Sequence, residues 1–358
     1  MDTKNSHKEQ GISGRNIKME RPIPILSLAP MQDVTDLNFW RLMHQYGGPD
    51  IYFTEYFRVT PTYRLSGEIL KSIKRNPTKK PVIAQIIGND ISALQRAATD
   101  LQKYNIMGID LNLGCPAPVV YKKKAGGGLL RYPDEVEKIL FALRDVIDCQ
   151  FSVKTRIGFD DDSIFDELLD IFSSAKINLL TVHGRTVKEM YRSSVNYDQI
   201  RKANEKMNCP VWANGNIYSP EKAENVLNYT KASGLMIGRG AIRNPWIFEQ
   251  IKVHLEGKRY FIPKGTDVLN YIFNLKEHVT DTKRSDKVTV QHLKKYMNFI
   301  GLGIEPQEQF LFSIRRAQSL SEFFRICKEF LDSDKPMNLT PFAPESLHPD
   351  DTLNGCHL

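Results

Sequence analysis

The 358-residue chain contains no apolar run near the roughly 18 residues that crossing a bilayer requires, and none of its five cysteines forms a CxxC pair. The first absence argues against membrane spanning. The second, with an odd cysteine count, argues against a disulfide framework and gives a structural zinc no support. Cys115, Cys149, Cys209, Cys327 and Cys356 suit a reducing compartment. Residues Met1 to Arg21 are polar and lack the apolar centre of a secretion signal, so a cytoplasmic, metal-free protein is expected. No strand-like run is followed by GxGxxG, which removes the common dinucleotide-binding fold. There is no low-complexity segment.

What is present is a globular composition, 41% hydrophobic and 25% charged, with enough apolar residues for a large core. Lys plus Arg exceed Asp plus Glu by 49 − 42 = 7, which makes an acidic partner worth considering. The charge is uneven. Arg58, Arg64, Lys71, Lys74, Arg75, Lys79 and Lys80 face a single acid, Glu68, in one short stretch, and Lys122, Lys123 and Lys124 form a second basic run.

Short β-branched runs alternate with amphipathic stretches from Ile25 to about Gly240, the pattern of repeated βα units. Eight runs are read as strands: Ile25–Ala29, Ile51–Thr54, Val82–Ile87, Gly108–Asn112, Phe151–Thr155, Leu179–His183, Pro210–Ala213 and Gly234–Ile237. Eight strands over this length predict an α/β fold, a (β/α)8 TIM barrel, followed by a small all-helical C-terminal domain. Helical spacing recurs at Val268–Val279, Val288–Phe299, Glu308–Arg315 and Leu320–Phe330, after a linker at Lys258–Gly265. The expected divisions are a flexible tail at 1–21, the barrel at 22–252, the helical domain at 253–332 and a poorly ordered tail at 333–358.

Barrel chemistry sits where strands end, and the polar residues there are many. They include Pro30 and Met31 after strand one, Gln85 in strand three, Asn112 and Cys115 after strand four, and Lys154 and Arg156 in strand five. Strand six leads into His183, Gly184, Arg185 and Thr186. Strands seven and eight lead into Asn214, Gly215 and Asn216 and into Gly238, Arg239 and Gly240. Glycine-containing loops after the last two strands predict a phosphate site.

In order and spacing these motifs resemble the tRNA-dihydrouridine synthase family: Leu28 to Met31, Asp110 to Pro116, Lys154 to Gly158, Val182 to Thr186, Ala213 to Asn216 and Met236 to Gly240. Lys295, Tyr296, Arg315 and Arg316 continue the likeness into the helical tail, so it spans residues 23 to 330. The resemblance implies an FMN across the barrel mouth, NADPH as reductant, and a tRNA uridine flipped onto the flavin by a monomeric enzyme. Pro30, Met31, Gln85, Lys154 and His183 would contact the flavin, with Asn214, Gly215, Asn216, Gly238 and Arg239 on its phosphate. Asn112, Arg156 and Arg185 would meet the uridine, and Lys294, Arg315 and Arg316 the tRNA. Cys115 would give the proton that C5 needs once a hydride has reached C6, since an unactivated thiol is mostly protonated at neutral pH.

Cys149, Cys209 and Cys327 read as small buried hydrophobes. The loop from Val119 to Gly128, with Gly126, Gly127 and Gly128, reads as a mobile lid, and Arg58 to Lys80 as a phosphate-binding rim. The stretch Phe53 to Val59, the three glycines and the Tyr191 to Ser194 segment look more like the bacterial C class, whose target is U16. Three other readings remain open: a flavin barrel acting on a free pyrimidine, as dihydroorotate dehydrogenases do, a non-catalytic tRNA-binding protein, and a flavin-free phosphate-binding barrel.

Overall fold

Residues 24–279 and 285–338 are described by a computed structural model of the chain; the expected N-terminal tail at 1–21 and the residues from 339 onward lie outside them. The eight strands are β1 (Ile25–Leu28), β2 (Ile51–Phe53), β3 (Val82–Ile87), β4 (Gly108–Leu113), β5 (Gln150–Arg156), β6 (Leu179–His183), β7 (Val211–Asn214) and β8 (Gly234–Ile237). Every pairing is parallel. The cycle closes because β1 pairs with both β2 and β8 and β2 reaches β3. A two-residue strand, Phe57–Arg58, adds to β3 near its end. This is the expected (β/α)8 barrel.

Strand side chains alternate with period two, and the two sets have different fates. Val82, Ala84 and Ile86 of β3, like Ile109, Leu111 and Leu113 of β4, join the large apolar core under the surrounding helices. The other register points into the barrel. Ile51, Phe53, Ile83, Leu179, Trp212 and Met236 make an apolar plug there. The same register also holds the buried polar residues Gln85, Asp110, Asn112, Ser152, Thr181, His183 and Asn214.

The ring of helices comprises α1 (Leu37–Gln45), α2 (Gly67–Lys74), α3 (Ile91–Leu101), α4 (Pro133–Arg144), α5 (Phe165–Ser174), α6 (Tyr197–Lys206), α7 (Pro220–Thr230) and α8 (Ile247–Leu255). Their starts follow from capping. Asp36 and Asp90 accept from the N–H groups of Phe39 and Ala93 at 2.9 and 2.7 Å, and Pro133 and Pro220 occupy first-turn positions that need no donor. Four further helices follow: α9 (Gly265–Val279), α10 (Asp286–Ile300), α11 (Gln307–Arg316) and α12 (Leu320–Leu331).

These helices lie directly on the barrel and share its apolar core. The Tyr271 hydroxyl donates to Ile242 O at 2.7 Å and the Tyr296 hydroxyl to Val34 O at 3.0 Å, both in segments that leave the barrel mouth. A boundary between 252 and 253 falls inside α8, which packs on α7. The expected disorder of the whole tail from 333 is not observed for its first residues. Met337 N donates to Pro263 O and Gly265 N to Lys335 O, so 333–338 pair with the linker.

Topology also corrects two expectations. Lys74, the last residue of α2, and Arg75, Lys79 and Lys80, between α2 and the start of β3, are on the face of the barrel opposite the Cys115 loop, so they form no rim of the mouth. Only Arg58 and Arg64 of that stretch leave on the mouth side. Nor are the three glycines a hinge. They lie buried in a 3-10 turn, Gly126–Arg131, where a Cβ on Gly126 would stand 3.0 Å from the Cys115 Cβ and one on Gly127 2.9 Å from Cys115 O. Close approach to Ile87 and Cys115, to Val187 and to the Tyr121 backbone is what requires them.

Candidate active site

Cys115 follows β4 in a turn built by Asn112, whose Oδ1 accepts the N–H groups of Gly114 at 3.0 Å and Cys115 at 2.9 Å. Tyr56, Ile87 and Val120 pack over the cysteine, and Gly127 N donates to its carbonyl at 3.2 Å. Burial pushes the thiol above the ordinary cysteine range, against the pull of the Ala117 N–H and the Arg156, Lys154 and Arg58 charges. At neutral pH it is protonated.

Around the mouth four cations converge. Lys154 is held down to about 8 by burial and by Arg156, with Asp110 opposing. Burial and the neighbouring Arg239 and Arg156 bring Arg185 down to about 10, and burial lowers Arg156 and Arg239 as well. His183 is kept well below the usual histidine value by burial and then by Arg156, Lys154, Arg185 and Arg239, so its imidazole is neutral. The carboxylates acting on this group are Asp110 and Glu189.

An excess of buried positive charge is costly unless an anion shares the site. Two buried side-chain nitrogens also lack partners among the described residues, His183 Nδ1 and Arg185 Nη2. Asn216 Oδ1 accepts from Arg185 and Arg239 at 3.4 and 3.2 Å, beside Gly215, whose φ of +123° and 2.9 Å clearance from Val195 exclude other side chains. Gly238 opens a short turn of helix whose first N–H groups have no internal acceptors. Cationic, donor-rich and partly unpaired, this set fits a phosphorylated flavin.

Most of the residues singled out from the sequence therefore meet in one mouth, but their hydrogen bonds differ in detail from expectation. Asn214 Nδ2 is used within the barrel, on Met236 O at 2.7 Å. Arg156 clamps three carbonyls, donating to Gly114 O at 3.0 Å, Thr186 O at 2.7 Å and Met190 O at 2.8 Å. Gln85 and Asn112 bond to each other at 2.9 Å. Met31 N donates to Thr35 Oγ1 at 2.8 Å, with Pro30 half-buried before it. Lys294 and Arg315 lie on α10 and α11, where Arg315 donates to Asn298 at 3.2 Å, and the exposed Arg316 stacks on Phe312 at 3.5 Å.

Sequence reasoning missed Tyr191, whose ring lies under the Arg239 and Arg156 guanidinium groups at 4.4 and 5.4 Å and edge-on to His183. It missed Tyr56 as the cover of Cys115. It also missed Glu55, pushed up to about 8 by burial and by Asp36 and Asp33, with Oε1 accepting from Val34 N at 3.2 Å. An acid between buried apolar residues, as in Phe53-Thr54-Glu55-Tyr56, was the available signal. Because the folded value lies above the ordinary one of 4.5, stability from this group is full below pH 4.5 and lost as pH rises through 8. Glu55→Gln, which keeps the acceptor, is expected to gain heat stability relative to the parent above pH 8 and little at pH 5, by thermal unfolding across that range.

A parallel eight-stranded barrel that brings a protonated thiol to a cation-lined mouth at its strand ends has the architecture of a barrel enzyme. The profile of the dihydrouridine synthase family matches residues 27–332. A tRNA-dihydrouridine synthase B of Vibrio vulnificus is 38% identical over 232 residues, 64% of this chain and 72% of its own length. That of Shewanella oneidensis is 32% identical over 322 residues, and that of Proteus vulgaris 30% over 327, each covering 86% of this chain and 95% of the relative. The chain belongs to the dihydrouridine synthase family and is an oxidoreductase acting on a CH–CH bond. No helix among the described residues is long and apolar enough to cross a membrane, and no cluster there could hold a metal ion.

Proposed function

We propose that the chain is a tRNA-dihydrouridine synthase that reduces the C5=C6 bond of a uridine in the tRNA D-loop, with FMN bound in the mouth and NADPH as reductant. The observation that carries this reading is the pairing of a buried, protonated thiol with cations that outnumber their carboxylates. When bound, the flavin supplies the hydride that reaches C6 of the uracil. Lys154 would set a positive charge beside the flavin ring, which favours its reduction, and Arg185, Arg239 and the turn after Gly238 would hold the phosphate. His183, being neutral, can donate one hydrogen bond without adding charge.

Cys115 gives its S–H proton to C5 from the other face of the uracil. The thiolate left behind takes a proton from water before the next turnover. Arg156 Nη2 and the second Nδ2 hydrogen of Asn112, without partners among the described residues, are the donors left for the uracil carbonyls. The base must leave its stack to reach them. A preference for U16 rests on residues 53–59, 126–128 and 191–194 alone, because the three relatives above carry the B designation.

The purified protein is expected to be yellow and to release FMN on denaturation; a colourless protein that takes up no FMN contradicts the reading. Binding of tRNA should fall steeply with salt, since Lys and Arg displace counterions from phosphates. Replacing Lys294, Arg315 and Arg316 by alanine should flatten that slope. The same treatment of Lys74, Arg75, Lys79 and Lys80, on the opposite face, should leave it nearly unchanged, as read by filter binding over a salt series.

A further inference from the structure

One polar chain inside the barrel runs from Asn112 to residues the mechanism above does not use, Asp110 and Ser152. Ser152 Oγ donates to Asp110 Oδ1 at 2.7 Å, and Gln85 Nε2 donates to Asp110 Oδ2 at 2.8 Å. Asn112 Nδ2 donates to Gln85 Oε1 at 2.9 Å, and Asn112 Oδ1 accepts the Gly114 and Cys115 N–H groups. Asp110, Ser152 and Gln85 are almost completely buried. Register explains the proximity: Gln85 lies opposite Asp110 across β3 and β4, and Asp110 opposite Ser152 across β4 and β5.

The chain has a direction. An ionised carboxylate only accepts, so it obliges Gln85 to present its NH2 downward and its oxygen toward Asn112. Asn112 must then turn its NH2 to Gln85 and its oxygen to the two backbone N–H groups of the cysteine turn. With a group that can also donate at position 110, both amides can rotate, and the Asn112 NH2 would then meet two N–H donors. That clash shifts the turn.

We infer that Asp110 is a positioning residue for the Cys115 thiol, acting through the amide orientations of Gln85 and Asn112. Burial raises the Asp110 carboxyl to about 6, with Ser152, Gln85 and the Lys154 charge holding it down, so it is ionised at the pH of the experiments below. Asp110 touches neither uracil nor thiol. The inference rests on the proposed reaction, but its first test does not.

That test compares the parent protein with Asp110→Asn, an isosteric change that introduces a donor, in alkylation by iodoacetamide followed by peptide mass spectrometry at pH 8. Cys149 and Cys209, both half-buried and neither a member of the chain of bonds, are internal standards. Cys115 should react roughly fivefold faster in the variant while Cys149 and Cys209 keep their rates. Equal acceleration of all three means general loosening and overturns the inference, as does no change at Cys115.

The second test is single-turnover reduction of tRNA by pre-reduced holoenzyme. Asp110→Asn should slow it by about ten- to a hundredfold, and by at most about fivefold in a Cys115→Ala background, where only the Asn112 donor to the uracil is left to disturb. Equal slowing in both backgrounds, or none, refutes the positioning role. A parent enzyme that makes no dihydrouridine overturns the functional reading instead, a result the alkylation experiment does not depend on.

Discussion

Cys115→Ala is expected to lower dihydrouridine formation by roughly 10² to 10⁴, the usual contribution of a positioned general acid, while FMN content and NADPH oxidation stay near the parent values. The separation follows from geometry. The thiol lies under Tyr56, Ile87 and Val120 after β4, and only the half-reaction on uridine needs an acid there. Alanine leaves the turn intact, since Asn112 holds the backbone and not the side chain. The pH dependence carries the same logic. Burial raises the thiol above its ordinary value, so reduction of uridine by pre-reduced enzyme should hold level through neutral pH and decline in the alkaline range. A nucleophilic thiolate would give the opposite slope.

The second large effect is expected at Lys154. Lys154→Met keeps most of the volume of the side chain and removes its charge from the centre of the mouth. Flavin reduction by NADPH should slow by about 10² to 10³, the loss seen when one preorganised electrostatic contact to a developing anion is deleted. Stopped-flow absorbance follows it directly. Without the flavin Lys154 is held down to about 8, and the negative charge of the bound flavin moves it upward, so the parent's reduction rate should fall only above that pH, whereas the variant, with no lysine to lose its proton, should show no such step. An unchanged rate in Lys154→Met removes this residue from the flavin's surroundings.

Much of this architecture is legible in the amino-acid order. Strands of a parallel barrel are covered on both faces, so Val82–Ile87, Leu179–His183 and Gly234–Ile237 read as compact apolar runs with sharp ends. Capping residues and first-turn prolines mark helices such as α4 and α7 for the same local reason. What composition and spacing do not encode is which end of the barrel a loop faces once the chain has folded. The basic residues from Lys74 to Lys80 read as one patch with Arg58, although α2 carries them to the far face.

Glycine runs are ambiguous in a related way. Freedom and close approach both call for a missing side chain, and only the distances from these glycines to Ile87, Cys115, Val187 and Tyr121 decide between them. The interior chain through Asp110 and Ser152 is a different case. Both residues occupy the same inward register as Gln85, Asn112 and Lys154, so period-two polar residues inside otherwise apolar strands were a readable sign of a buried network. Its direction is set by hydrogen-bond chemistry that the order of residues does not show.

The central claim is that this mouth reduces a uridine of tRNA, and mass-spectrometric mapping of tRNA tests it most directly. Transfer RNA from cells lacking this gene is compared with that from cells re-supplied with the parent gene or with the Cys115→Ala form. The account predicts that one uridine of the D-loop regains two hydrogens with the parent gene and stays unreduced with the variant. A D-loop unchanged by deletion and re-supply, or restored equally well by Cys115→Ala, would contradict it.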